Sequence, residues 1–350
     1  MPLAQRRYIF DTWVLPAVEN GWAISINRRH TLIKIRRSLT AFAGALLVSS
    51  LVAAQGTYPT KPLHFVVPFA PGGESDIVAR QVANKLAVLR GYTVIVDNFP
   101  GAGGNLGAEK AMKEPADGYT FLVISGAYAA NAAVNKSAFD PIAAIQPVIQ
   151  FSTQPSVLIA NLKYKTVGEL VDKARKSPGH LNFGTAGIGS LGHLSNENFA
   201  LVTGVSMNHI PYKGTSNAVT DLAGGQIDMM FAGVTGARAL AKGGKIRMLA
   251  VTSPKRLQVL PDVPTLVESG IAYESSLWHG LVASKDVPPS IIEKINADLN
   301  AALRDPDLVS KFNAELLSPV GGTPDRFKEV ITTELDRLQR IVKAANVKPQ

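Results

Sequence analysis

The chain has 350 residues, enough for two domains with cores of their own, and its 46% hydrophobic and 18% charged content excludes a disordered protein. Zero cysteines exclude disulfides, thiolate zinc sites and cysteine nucleophiles. The net charge is +9, but +5 of it sits in residues 1–37, where Arg6, Arg7, Arg28, Arg29, Lys34, Arg36 and Arg37 face only Asp11 and Glu19. The remaining body shows no basic stripe interleaved with aromatics, so nucleic acid is not an expected partner.

The N-terminus accounts for that asymmetry. Arg28 to Arg37 precede an uncharged apolar run, Leu39 to Ala54, which closes on Val52-Ala53-Ala54 before Gln55. A basic segment, a short apolar core and small residues at the cut describe a secretory signal peptide cleaved near Ala54, hence export. A membrane anchor fits less well, because a bilayer needs roughly 20 apolar residues. Arg36-Arg37-Ser38-Leu39 faintly suggests a twin-arginine signal. Residues 1–27 are too long and mixed for an ordinary leader and point to a misassigned start, so residues 1–54 are set aside from the fold.

From Tyr58 strands and helices alternate. Leu63 to Phe69 is an apolar strand that ends at Pro71-Gly72-Gly73 and runs into a helix from about Asp76 to Arg90. A strand, glycine turn and helix N-terminus leave backbone N–H groups unpaired at the positive end of a helix dipole, a ready anion site. The dipole contributes only about 0.3–1 kcal/mol, up to roughly 2 when partly buried, so further donors must face it. Arg80, four residues after Asp76, is spaced for an intrahelical ion pair.

Tyr92 to Asp97 is the next strand, followed by a glycine-rich loop (Asn98 to Asn105) and a short helix to about Lys113. Tyr119 to Ile124 is a strand, and Ser125-Gly126-Ala127-Tyr128 turns into a helix near Ala129 to Val134. In the second half, strands are expected at Val157–Ala160, Leu181–Gly184, Met207–Ile210, Ile227–Phe231 and Ile246–Val251. Helices are expected after Thr166, at His193–Leu201 and at Asn217–Leu222. Long helices at about Pro289–Leu303, Pro306–Leu317 and Pro324–Ala345 close the chain. The pattern implies an α/β protein with mainly parallel sheets. Crossovers between two domains are expected at Gln154-Pro155 and Tyr273 to Trp278.

Glycine- or serine-bearing turns recur where strands meet helices, at Pro71–Ser75, Ser125–Asn131, Thr185–Ser190 and Phe231–Gly236. Singly such glycines only make tight turns; together they suggest one cleft at the strand ends. Gly187-Ile188-Gly189-Ser190-Leu191-Gly192 matches G-x-G-x-x-G, yet no acidic residue follows about 20 positions on, so carboxylate binding suits it better than a dinucleotide. The same stretch lacks a nucleophile elbow. His193 could cap a helix or line the cleft, and the other histidines lack metal spacing. No catalytic residue, metal or cofactor is expected.

Further motifs carry a resemblance. Val67-Pro68-Phe69-Ala70-Pro71-Gly72-Gly73, with Asp76 and Arg80, is followed by Asn98-x-Pro100-Gly101-Ala102-Gly103-Gly104-Asn105 and Pro115-Ala116-Asp117-Gly118-Tyr119-Thr120. Later come His209-Ile210-Pro211-Tyr212-Lys213-Gly214, Asp221-Leu222-x-Gly224-Gly225-Gln226 and Leu260-Pro261-Asp262-Val263-Pro264-Thr265. Across 58–350 the chain resembles the Bug (TctC-like) solute-binding proteins of tripartite tricarboxylate transporters.

The resemblance implies a two-lobed, Venus-flytrap, type II-like periplasmic-binding-protein fold, each lobe a mostly parallel sheet flanked by helices. Lobe 1 would comprise 55–155 plus 278–350, and lobe 2 156–277. The implied function is non-enzymatic: a monomer that captures a small organic carboxylate and hands it to a membrane permease. The solute could be a di- or tricarboxylate, an aromatic acid or an amino acid. A sensor feeding a membrane kinase, or an enzyme acting on a carboxylate, are the alternatives. Carried over, the binding residues are Pro71, Gly72, Gly73, Ser75 and Asp76, with Ser125, Gly126 and Ala127. The opposite lobe would offer Thr185, Gly187, Ser190, His193 and the turn after Phe231, including Ala232. Three residues depart from the family pattern. Glu74 stands where a small or uncharged residue is usual, Ala232 where many members carry Asp, and Phe99 where an arginine is conventional.

Overall fold

The computed structural model describes residues 58–135 and 140–349; the expected signal peptide within 1–54 lies outside them. Leu63–Val67 forms β1, almost wholly buried, as an apolar run covered on both faces must be. The glycine turn then bends the chain, with Gly72 at a φ of 78° that side chains disfavour. Helix α1 (Glu74–Arg90) buries Val78, Ala79, Val82, Ala83 and Leu86, a stripe at helical spacing, and stops at left-handed Gly91. Next come β2 (Val94–Asn98), a 3-10 turn at Ala102–Gly104, α2 (Asn105–Lys113), β3 (Thr120–Ser125) and α3 (Gly126–Val134). Strands β2 and β3 flank β1, both parallel to it.

Strand β4 (Ile145–Ala160) is 16 residues long, whereas a strand was expected only at its end. Up to Pro155 it pairs antiparallel with β9 (Ser276–Ser284), and β10 (Ser318–Gly321) lies on its other edge. From Ser156 it pairs with β7 (Met229–Gly233) and β8 (Arg247–Val251). One sheet therefore runs through both lobes in the order β2-β1-β3-β9-β4-β7-β5-β6.

The second lobe continues through α4 (Val167–Lys176), β5 (Asn182–Thr185), α5 (Leu191–Thr203), β6 (Asn208–Pro211), α6 (Thr215–Ala223) and, after β7, α7 (Val234–Lys242). Strand β9 returns the chain, and α8 (Pro289–Leu303), α9 (Pro306–Ala314) and α10 (Pro324–Ala344) complete the first lobe. Residues of α1, α8 and α9 share one core with β1, while α3 and α10 pack on the opposite face around Leu122, Ile124 and Val282. The second sheet is likewise covered on two faces.

Two expectations are corrected. The sheets are mixed: β2-β1-β3 and β7-β5-β6 are parallel, but β4, β8, β9 and β10 pair antiparallel. A strand that crosses to the second lobe and one that comes back beside it must run in opposite directions. The helix expected over Pro306–Leu317 ends at Ala314, because Leu316 takes a φ of 58° and the chain turns into β10. Among the described residues no helix is long and apolar enough to cross a membrane.

Gly280, on β9 in the first sheet, shows how tightly that sheet is packed against α10. A Cβ there would lie 2.2 Å from Phe327 Cζ and 2.7 Å from the Ile149 carbonyl. Gly280→Ala should cost about 2–3 kcal/mol of overpacking. A urea denaturation curve would read this, and an unchanged midpoint would contradict it.

Candidate functional site

Helices α4, α5, α9 and α10 are capped by their own side chains: Thr166, Ser190, Asp305 and Thr323 each accept an N–H of the first turn. Helices α1, α6 and α7 follow Gly73, Gly214 and Gly233 instead and have no side-chain cap. Their first N–H groups are left for water or a ligand. All three open on one cavity of about 610 Å³ between the lobes, whose wall includes Gly72 and Glu74, Thr215 and Ser216, and Thr235 and Gly236. Ile77, Val219, Leu240 and Leu317 give it an apolar side. A smaller cavity of about 270 Å³ shares Glu74, Thr215, Ala232 and Gly233 and adds Ser156, Thr185 and Ser195. Neither lining contains Lys, Arg or His.

The glycine turn at α1 is held from behind. Asp76, 3% exposed, accepts the Gly72 N–H at 2.9 Å and pairs with Arg80 at 3.0 Å. Asn98 Nδ2 donates to Asp76 at 3.0 Å and to the Phe69 carbonyl at 3.1 Å, while its Oδ1 accepts from Arg80. Burial alone would raise the Asp76 pKa, but Arg80, the Gly72 N–H and Asn98 outweigh it and hold the carboxyl below its usual range. Asp76 therefore shapes the loop, and its carboxylate is already occupied.

Glu74 faces the cleft. Gln154 Nε2 donates to its Oε1. Crowding by protein, and then the nearby Glu315 carboxylate, push the Glu74 pKa up to about 7. Across the cleft, Thr235 Oγ1 donates to the Glu315 carbonyl at 2.8 Å and ties α7 to the first lobe.

The remaining sequence-derived residues divide. Gly72, Thr185 and Ala232 line the cavities; Pro71, Gly73 and Ser75 belong to the same loop without lining them. Ser125, Gly126 and Ala127 line neither: the start of α3 packs on α5, where a Cβ on Gly126 would meet Leu191 Cδ2 at 2.9 Å. Trp278 lies beside it, with its buried Nε1 unpartnered among the described residues.

Ser190 and His193 serve the fold rather than lining the cleft. Ser190 Oγ accepts the His193 N–H at 3.2 Å, and His193 Nδ1 accepts the Gly189 N–H at 3.2 Å. The His193 ring is buried, stacked 3.9 Å from His209, with Nε2 3.4 Å from Glu197. Thr185 Oγ1 lies 2.7 Å from His209 Nε2 and accepts the Gly187 N–H at 3.1 Å, which fixes the Gly187 turn. Among the described residues no group of acids and histidines could hold a metal ion.

Sequence reasoning missed Gln154, Thr215, Ser216 and Glu315. The first three had a signal in the glycine and hydroxyl residues after Tyr212 and in the polar crossover at Gln154-Pro155. Glu315 had none, since nothing in a helix-end glutamate announces a neighbour across a cleft.

The family model for the tripartite tricarboxylate transporter family receptor matches residues 78–347. The chain belongs to this family. A relative of the receptor from a Pseudomonas species, the UPF0065 protein in the tcbD-tcbE intergenic region, is 36% identical over 318 residues, covering 88% of this chain and 93% of the relative. Among solved structures, R. palustris Rpa4515 with adipate matches with a TM-score of 0.75 at 32% identity, over 84% of the receptor and 100% of that chain. The periplasmic binding protein BugD matches with a TM-score of 0.73 at 31% identity, over 84% and 100%. The receptor is thus a two-lobed solute-binding protein of a periplasmic family.

Two outcomes follow from this geometry. Ser190→Ala should cost about 1 kcal/mol of stability through the lost cap of α5, measured by denaturant midpoint, and an unchanged midpoint would count against that role. Burial, and for His209 the neighbouring His193, push the His209 and His279 pKa values down to about 4. The unfolded chain binds protons below about 6.5 that these folded sites refuse, so their contribution is complete above that pH and declines as pH falls toward 4. The stability difference between wild type and His209→Gln should therefore shift in favour of the variant over that interval. A pH-independent difference would refute the assignment.

Proposed function

We propose that the receptor captures a small organic acid in the cleft between its lobes. We take 55–155 with 278–350 and 156–277 as those lobes, and a tripartite tricarboxylate-type membrane permease as the acceptor of the solute. Export would follow removal of the signal peptide near Ala54. The observation that carries this reading is the convergence of three uncapped helix N-termini, those of α1, α6 and α7, on one cavity without a basic side chain.

Neutral N–H and hydroxyl donors bind a carboxylate without burying a counter-charge, whose desolvation would offset much of the gain. Each helix start contributes up to about 2 kcal/mol when partly buried. Three such starts, with the hydroxyls of Thr215 and Ser216, supply donors for the anion, and micromolar binding requires only about −8 kcal/mol. Such affinity lets a receptor collect a dilute solute and still release it. The family is one of transporter receptors, and on that ground we assign no catalysis. The bound adipate of the R. palustris relative supports an acid as ligand.

Gly73→Asp tests the reading. Gly73 has a φ of −74°, ordinary for any residue, and an added Cβ would sit 3.3 Å from the Ala70 carbonyl, so the side chain can be housed. An aspartate at this N-cap would accept the N–H groups of α1 itself and fill the anion position with its own charge. The purified variant should keep or raise its melting temperature and lose the thermal shift that acids give the wild type, about 2.7 kcal/mol at one hundred times Kd. A folded variant with undiminished acid binding would move the anion position elsewhere.

A further inference from the structure

The same cavity that gathers the helix N-termini also gathers acceptors. Glu74 and Glu315 both line it, and each adds to the negative potential the other feels. Gln154, 3% exposed, donates its Nε2 to Glu74, and its Oε1 is sealed from the cavity. No cationic side chain in the lining balances the two carboxylates. A plain dicarboxylate would meet N–H donors and two carboxylates in the same cavity, so its second charge would stand against like charge.

We propose that the solute carries a protonated nitrogen as well as its carboxylate, with the ammonium held between Glu74 and Glu315. An ammonium has three N–H donors and no acceptor, and the two carboxylates supply its acceptors. The carboxylate lies at the uncapped helix starts, and the body of the solute lies along Ile77, Val219 and Leu240. Glu74 thereby becomes the residue that selects amino acids, in the broad chemical sense, over acids without nitrogen. This assignment rests on the reading of the cleft as an acid site.

The test pairs each amino acid with its nitrogen-free counterparts: aminohexanoate with hexanoate and adipate, leucine with methylpentanoate, phenylalanine with phenylpropanoate. Affinities are measured by calorimetry on the full receptor, refolded to strip carried-over ligand, at a pH of about 8, above the range in which Glu74 takes up a proton. At least one amino acid should bind about tenfold or more tighter than its counterparts. Glu74→Gln should remove that margin, both by weakening the amino acid and by tightening the nitrogen-free acid, and Glu315→Gln should narrow it. Circular dichroism establishes that both variants are folded. If nitrogen-free acids bind as well as or better than the amino acids in every pair, the ammonium corner is overturned and the acid site stands. If folded receptor binds no acid of either kind, the acid site and the ammonium corner fall together.

Discussion

Continuity of backbone hydrogen bonding through β4 is the constraint on which the rest of the molecule depends. This strand serves the first sheet up to Pro155 and the second from Ser156, so the lobes are joined by a shared strand rather than by a flexible tether. Strand β9 returns alongside it in the opposite direction, and Gly280 lets Phe327 of α10 press directly onto that pair. The join limits the motions available to the lobes to twisting and bending about β4 and β9. Every helix start on the cleft wall is positioned relative to that axis.

Within this frame the cleft is built from local electrostatics. Thr166, Asp305 and Thr323, which line neither cavity, each satisfy the first turn of their helix with a side chain. At Gly73, Gly214 and Gly233 no side chain does, and the freed donors meet in one space. Rigidity comes from the far side of the same loop, where Asp76, Arg80 and Asn98 fix the glycine turn by charge-assisted hydrogen bonds. The cavity wall at these helix starts is thus made largely of backbone, and the support behind the α1 turn is made of charge. Glu74 is the exception, a carboxyl on the cavity side.

Much of this was legible in the residues. Pro71-Gly72-Gly73 between an apolar strand and a helical stripe announced the glycine turn into α1, and the spacing of Asp76 and Arg80 announced their ion pair. Thr166 as a cap and the ends of α1, α8 and α10 were readable because caps, prolines and glycines act within a few residues of themselves. Strand direction was not readable. The Ile145–Pro155 part of β4 mixes Gln, Pro, Ser and Thr with apolar residues, so no strand was expected there, and pairing with β9 makes it one. Ser190 and His193 looked like cleft residues because serine and histidine after glycine suit both a ligand and a helix cap, and sequence cannot say which way the first turn of α5 faces.

By itself the sequence determined the alternation of strands and helices, the glycine turns at their junctions and the family to which the chain belongs, since each depends on residues close together along the chain. Tertiary structure decided which of those turns share a cavity, that Gly126 lies against Leu191, and that Glu315 and Gln154 come to Glu74. These are meetings of residues 65 and more positions apart in the chain. They are fixed by how two sheets share one strand, which no local pattern of side chains records.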